Sequence, residues 1–395
     1  MLMIAKSITP RLDILSDELN FRDYEFEELL TSFRRVLTNP GEAIARVILI
    51  GPPGSGKSFV LHNFQNKIQM KRIINRETDV QLKCLTVDCG KYNSSKEVVM
   101  AIIQQIDPYF YANLDECFTA ELQYILADIL LAKKETLIVI FDNIDSLVTK
   151  EPEEVNSLLY GFQRFSEGKT KDEPNLFSQI LVAQDLEFLT ELDRTVFRKI
   201  STDVIPFEAY SSEQTVQLLN EHIKKKVKRK ITEETVWFIS MIARGNMHLA
   251  FELLTEGEAL AQREQSITIH PEHIRSINKR ITDFQITEQK VEEFTLGTKL
   301  MLLTIARKFK ANTKAFLNFL DLPCLYISIC EEYDQMQQAK YFSEILGDLE
   351  KMCIVSLHYV EREIFVTLSD ISATELSCYL EKSVKQKRRD KPYFL

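Results

Sequence analysis

Val47-Ile48-Leu49-Ile50-Gly51-Pro52-Pro53-Gly54-Ser55-Gly56-Lys57-Ser58 passes from four apolar residues into a glycine-rich turn and then into helix-compatible sequence from Phe59 onward. Glycines let backbone N–H groups close around phosphate oxygens, and the helix that follows offers them its positive end. At this spacing Lys57 reaches the β and γ oxygens, and Ser58 can ligand Mg²⁺. The segment Gly51, Pro52, Pro53, Gly54, Ser55, Gly56, Lys57, Ser58 and Phe59 is thus predicted to bind a purine nucleotide, ATP or ADP, together with Mg²⁺.

Around this loop the pattern alternates. Residues 82–88, 137–142 and 177–183 read as strands, and 94–106 and 120–132 as helices. Such a rhythm predicts an α/β domain with a parallel sheet covered on both faces and a ligand at the carboxyl ends of its strands. Residues 11–38 read as an amphipathic helix leading into the nucleotide strand, ended by Asn39-Pro40-Gly41. Residues 166–174 read as a polar loop. The strand at 137–142 ends in Asp142, where a nucleotide site needs its metal carboxylate, so Asp142 joins Ser58 as the predicted Mg²⁺ partner.

From about residue 211 strand signals stop. Residues 214–223, 233–242 and 249–262 read as helices, 267–281 as one more, and 282–289 as a linker. Helical spacing then returns at 300–305, 324–333 and 342–352. Two strand-like runs follow, 354–360 and 364–368, joined by Glu361-Arg362-Glu363. Three helices and a hairpin make the pattern of a winged helix-turn-helix. The predicted division is 1–205 for the nucleotide domain, 206–285 for a helical lid, and 286–395 for the winged helix with a basic tail.

A chain of 395 residues exceeds what one core usually holds, and its 45% hydrophobic content suffices for more than one. No apolar run approaches the roughly 18 residues that cross a membrane, and Met1 to Lys6 is too short for a secretory signal. These features predict an intracellular protein with no membrane partner. The seven cysteines are scattered and read as buried, reduced thiols. His270 and His273 lie three apart with nothing to complete a zinc set, and read as surface histidines. The net charge of −9 excludes a diffusely basic nucleic-acid coat, so any DNA contact must be local. The basic runs 224–230 and 385–389 suit phosphate contact or nuclear import, and equally a solvated helix face or tail.

The phosphate loop and Asp142 are joined by further stretches: Ser157 to Arg164, Phe188 to Arg194, Ile205 to Tyr210, and Gly245-Asn246-Met247-His248. Together they resemble the replication-initiator clade of AAA+ ATPases, the archaeal and eukaryotic origin-recognition and helicase-loader family. The resemblance spans nearly the full length. It implies an AAA+ sheet domain, a lid and a DNA-binding module. It also implies a DNA-associated location in nucleus or nucleoid. The implied partners are double-stranded DNA, a replicative helicase or other initiator subunits, in a homo- or hetero-oligomer.

Against the family pattern this chain departs at catalytic positions. Asn143 stands where the family has the glutamate that polarises the attacking water, and an amide cannot accept that proton near neutral pH. Gln184 replaces the sensor asparagine. His248 replaces the lid arginine, being shorter and mostly neutral. Thr195 occupies the slot of an arginine that contacts a neighbouring subunit's nucleotide, with Arg194 and Arg198 as substitutes. Lys57, Asp142, Asn143 and Gln184 form the expected catalytic set, with slow or absent hydrolysis.

A winged helix reads DNA through its second helix and hairpin tip. Here the candidate helix, 339–352, offers Lys340, Ser343 and Lys351 but also Glu344, Asp348 and Glu350, and the tip offers only Arg362. DNA contact and protein docking both stay open for this module. Three functions follow: an ATP-switched initiator, a non-hydrolysing scaffold subunit of an origin-recognition assembly, or a P-loop regulatory ATPase outside replication.

Overall fold

A computed structural model describes residues 21–389 apart from 76, 166–173, 201–202, 282–285, 313, 353 and 361–362. Residues 166–173 of the expected loop at 166–174, residues 11–20 of the expected first helix, and Arg362 lie outside the described residues. The chain divides into two compact units, one ending at Ala209 and the other beginning at Tyr210.

The first unit runs α1 (Asp23–Thr38), β1 (Arg46–Ile50), α2 (Lys57–Lys71), β2 (Gln81–Asp88), α3 (Ser95–Ile106), α4 (Thr119–Lys133), β3 (Glu135–Asp142), α5 (Ile144–Lys150), α6 (Pro152–Arg164), β4 (Phe177–Ala183), α7 (Arg194–Ile200) and β5 (Asp203–Pro206). The strands form one parallel sheet in the order β2-β3-β4-β1-β5. Side chains alternate across it. Ile48, Leu137, Val139, Phe141 and Leu181 join the apolar cluster that includes α3 to α6, while Val47, Leu49, Ile138, Ile140, Ile180 and Val182 join the one that includes α1 and α2. A strand buried on both faces must be apolar at every position, which is why 137–141 carries no alternation in the sequence. Register places the carboxyl ends together: Ile50 lies opposite Ala183, and Asp88 opposite Asp142.

The second unit runs α8 (Ser212–Lys226), β6 (Lys230–Ile231), α9 (Glu233–Ala243), α10 (Met247–Arg263), β7 (Thr268–Ile269), α11 (Pro271–Ile281), α12 (Glu288–Glu293), α13 (Leu296–Ala311), β8 (Leu317–Asn318), α14 (Leu322–Glu332), α15 (Phe342–Lys351), β9 (Ser356–Val360), β10 (Glu363–Thr367) and α16 (Ala373–Arg389). Within the stretch read as all-helical, 211–281, two short strands occur, which corrects the sequence reading there: β6 pairs with β7 in parallel. The helix expected over 267–281 starts only at Pro271, whose fixed φ and missing N–H suit the first helical turn, after a β-branched run. The expected linker is helical from Glu288, where the Thr287 hydroxyl accepts a hydrogen bond from the Lys290 N–H at 3.3 Å.

The hairpin β9–β10 gains β8 as a third strand, giving the order β8-β10-β9. The candidate recognition helix is shorter than expected. Met336–Tyr341 is a 3-10 turn carrying Lys340, and the α-helix begins at Phe342. The expected basic tail is instead helical to Arg389. Leu376, Leu380 and Val384, four residues apart, are buried against the winged-helix core.

Arg275 of α11 is 1% exposed. Its guanidinium donates to the carbonyl oxygens of Leu368 (2.7 Å), Ala315 (3.1 Å) and Lys314 (3.3 Å) and lies 4.2 Å from the Phe309 ring centroid. Burial lowers its pKa to about 10, opposed by Glu272. A charge is stable there because all three nitrogens donate to oxygen, Nη1 to Glu272 at 3.4 Å, and aromatic rings flank the guanidinium.

Other expectations need correction. Cys324 and Cys378 are exposed, whereas Cys84, Cys89 and Cys330 are buried as expected. His273 is buried, not a surface residue. Its Nδ1 accepts from the His270 N–H at 2.9 Å, and its Nε2 lies 3.1 Å from Glu264. Lys224, Lys225 and Lys226 occupy the last turn of α8, where cations offset the helix dipole. Among the described residues no helix is long and apolar enough to cross a membrane, and no cluster of three His, Cys, Asp or Glu could hold a metal.

Candidate nucleotide site

Gly51 leaves β1 so tightly against the chain after β5 that a Cβ there would collide with the Phe207 carbonyl oxygen. Only glycine fits. Gly51 N–H donates to the Gln184 carbonyl at 3.0 Å, tying the loop to the end of β4. Gly56, at φ +94°, is the left-handed residue that turns the loop into α2. Between them Pro52, Pro53, Gly54 and Ser55 complete the loop, Ser55 buried at its base. Phe59 stands exposed in the first turn of α2.

Lys57 Nζ donates to the Gly51 carbonyl at 2.5 Å and the Pro52 carbonyl at 3.0 Å, and lies 3.4 Å from Ser55 Oγ. Burial lowers its pKa, while the charges of Asp142 and Asp145 act to raise it. Ser58 Oγ lies 3.4 Å from Asp142 Oδ2. A hydroxyl and a carboxylate at this separation form the all-oxygen donor set that suits Mg²⁺. Burial, and next the Asp88 charge, raise the Asp142 pKa against the Asn143 N–H, the Ser58 hydroxyl and the Lys57 charge.

Asn143 follows at φ +55°, a left-handed conformation that Asn tolerates far better than most side chains, and it opens α5. Its Nδ2 donates to Asp88 Oδ1 at 2.9 Å. Asp88, the last residue of β2, also accepts from the Gly90 N–H at 3.2 Å and pairs with Lys91 at 3.3 Å. Burial acts to raise the Asp88 pKa, but the hydrogen bonds from Asn143, Lys91 and Gly90 outweigh it and hold the carboxyl below its usual range. Gln184 has its side chain exposed, and its N–H donates to Asp145 Oδ2 at 3.0 Å. Gly90, Asn143, Asp145 and Gln184 share the wall of an open cleft of about 680 Å³.

The first unit therefore brings together Gly51 to Ser58, Asp142, Asn143 and Gln184. Sequence reasoning missed Asp88. Its only signal is an acid at the end of a strand, and its meaning depends on β2 lying beside β3. Arg194 and Arg198, four apart on α7, are both exposed. His248 belongs to the second unit, exposed in the first turn of α10, which the Asn246 side chain caps by accepting from the Leu249 N–H at 3.2 Å. Of the DNA candidates, Lys340, Ser343 and Lys351 are exposed, and Lys351 Nζ is 3.4 Å from Asp348.

Residues 45–192 match the model of an AAA domain. A curated relative, the ORC1-type DNA replication protein 2 of Sulfurisphaera tokodaii, is 25% identical over 331 residues, covering 80% of this chain and 75% of the relative. The crystal structure of Cdc6p from Pyrobaculum aerophilum superposes with a TM-score of 0.77 at 20% identity, over 96% of this chain and 97% of that one. The Aeropyrum pernix ORC1 protein, solved in complex with DNA, gives a TM-score of 0.55 at 19% identity, over 95% and 96%. The likenesses to solved structures carry the AAA+ fold with its closing winged helix, and the family match carries the AAA assignment of residues 45–192. The chain carries an AAA domain and is similar, over most of its length, to ORC1-type DNA replication proteins of the replication-initiator clade of AAA+ ATPases.

Proposed function

We propose that this protein is a DNA replication initiator that binds ATP with Mg²⁺ as a conformational ligand and hydrolyses it slowly or not at all. The observation that carries this reading is the contrast within one site. The loop, Lys57, Ser58 and Asp142 have the geometry for holding a triphosphate, while the position next to Asp142 is an amide hydrogen-bonded to Asp88. In this reading the γ-phosphate offers Lys57 charge-assisted acceptors stronger than the loop carbonyls. Ser58 and Asp142 would hold the metal, which would screen phosphate charge. Gln184 would hydrogen-bond the γ-phosphate, and His248 would approach the nucleotide from the lid. A carboxamide at 143 can orient water but cannot take its proton, a loss worth ~10²- to 10⁴-fold in rate.

The proposed division is 1–205, 206–285 and 286–395. Separate apolar clusters around Leu253 and around Leu302 support drawing a line within the second unit. Its proposed setting is the interior of the cell, on DNA in nucleus or nucleoid. Partners in this reading are other initiator subunits, reached through Arg194 and Arg198, a replicative helicase, and double-stranded DNA. The DNA partner is supported by the relative solved with DNA. The pairing of Lys351 with Asp348 favours the second reading, a scaffold subunit that docks protein through its winged helix. Titrating labelled duplex DNA with and without ATP, beside a turnover assay, separates the two. An initiator binds duplex more tightly with ATP, and a scaffold subunit binds it in neither state.

A further inference from the structure

In the second unit, α9 and the β9–β10 hairpin flank a cleft of about 730 Å³. Trp237, Phe316, Tyr359 and Phe365 line it, and its lining carboxylates are Glu213 and Glu234, with no Lys or Arg among the lining residues. Trp237 is 39% and Tyr359 72% exposed, so two of the aromatic faces are open to a ligand. Phe316 and Phe365 form an edge-to-face pair 6.5 Å apart. Glu234 is fixed in place, because its Oε1 accepts the Ala315 N–H at 2.8 Å and the Phe316 N–H at 3.2 Å. His358 also lines the cleft. Burial, then the Arg244 charge, lower its pKa, so it adds no positive charge near neutral pH.

Aromatic faces attract cations, and carboxylates beside them reinforce that preference. A phosphate backbone meets two carboxylates here and no cation among the lining residues. A guanidinium fits best among cations, being planar for stacking, weakly hydrated, and able to donate to a carboxylate while lying on a ring. We propose that this cleft is a docking site for arginine side chains on a basic peptide segment of a partner protein. The volume accommodates more than one side chain, and two carboxylates suit two arginines.

Trp237 is the only tryptophan in the chain, so its fluorescence reports the cleft directly. The test titrates the full chain with a blocked peptide carrying two arginines separated by leucines, and with the same peptide carrying citrulline. We expect a saturable change in emission with the arginine peptide and affinity about tenfold weaker, or more, with the neutral one. Tyr359→Ala and Glu213→Gln, both at exposed positions, should each weaken the arginine peptide about tenfold while leaving the melting temperature unchanged. Equal response to the citrulline peptide, an emission unmoved by the arginine peptide, indifference to both substitutions, or a preferential response to duplex DNA would each overturn the proposal. Nucleotide binding plays no part in this readout.

Discussion

At the scale of single residues, the site turns on Asn143 and Asp88. Asn143→Glu restores a carboxylate where water would be activated, and ATP turnover should rise at least tenfold, part of the ~10²- to 10⁴-fold that a general base supplies. Two opposing effects cap the gain. The left-handed backbone at 143 disfavours glutamate by about 1 kcal/mol, and Asp88 and Asp142 add like charge beside it. Exchanging the pair, Asp88→Asn with Asn143→Glu, removes one of those charges and keeps an amide to hold the acid. It should exceed the single variant in a steady-state phosphate-release assay. A wild-type rate typical of active ATPases, with no gain in either variant, would remove Asn143 from the explanation.

At the scale of elements, Arg275 fastens α11 to the segments around Ala315 and Leu368. Arg275→Ala takes a donor from the Leu368, Ala315 and Lys314 carbonyls, of which Ala315 keeps the Thr367 hydroxyl, and should cost roughly 3 kcal/mol. Thermal unfolding of the second unit should then fall by roughly 6–12 °C. A shift below a degree or two would mean that the carbonyls find other partners. The winged helix has its own test. Duplex binding, where present, should weaken with salt at a log–log slope near 0.9 per phosphate contacted. Lys340→Ala should lower that slope by about one contact, and Lys351→Ala by less, because Asp348 already engages Lys351.

Elements also show what the sequence could and could not convey. The phosphate loop was legible because its chemistry is contiguous: eight neighbouring residues specify turn, charge and helix start. Strands β2, β3 and β4 were legible as apolar runs of the right length. Their order in the sheet was not, since pairing is non-local, and with it went the contact of Asp88 with Asn143. The two-residue strands β6 and β7 leave no periodic trace. In α16 the apolar residues Leu376, Leu380 and Val384 keep helical spacing, but charge dominates the composition of the segment and masks the pattern. Pro271 could have marked the start of α11 from its ring geometry alone.

For the whole molecule, the proposed role of nucleotide is structural rather than that of a fuel. A ligand held at 100 times its Kd stabilises the form that binds it by about 2.7 kcal/mol. For a unit of this size that is a rise in melting temperature of roughly 5–10 °C. The most direct measurement is isothermal calorimetry of the full chain with ATP and Mg²⁺, run beside Lys57→Ala. The account predicts saturable heat of one-site binding for the wild type, no heat for the variant, and ATP recovered intact after the titration. No heat of binding with the folded wild type, or rapid conversion of ATP to ADP in the cell, would contradict it.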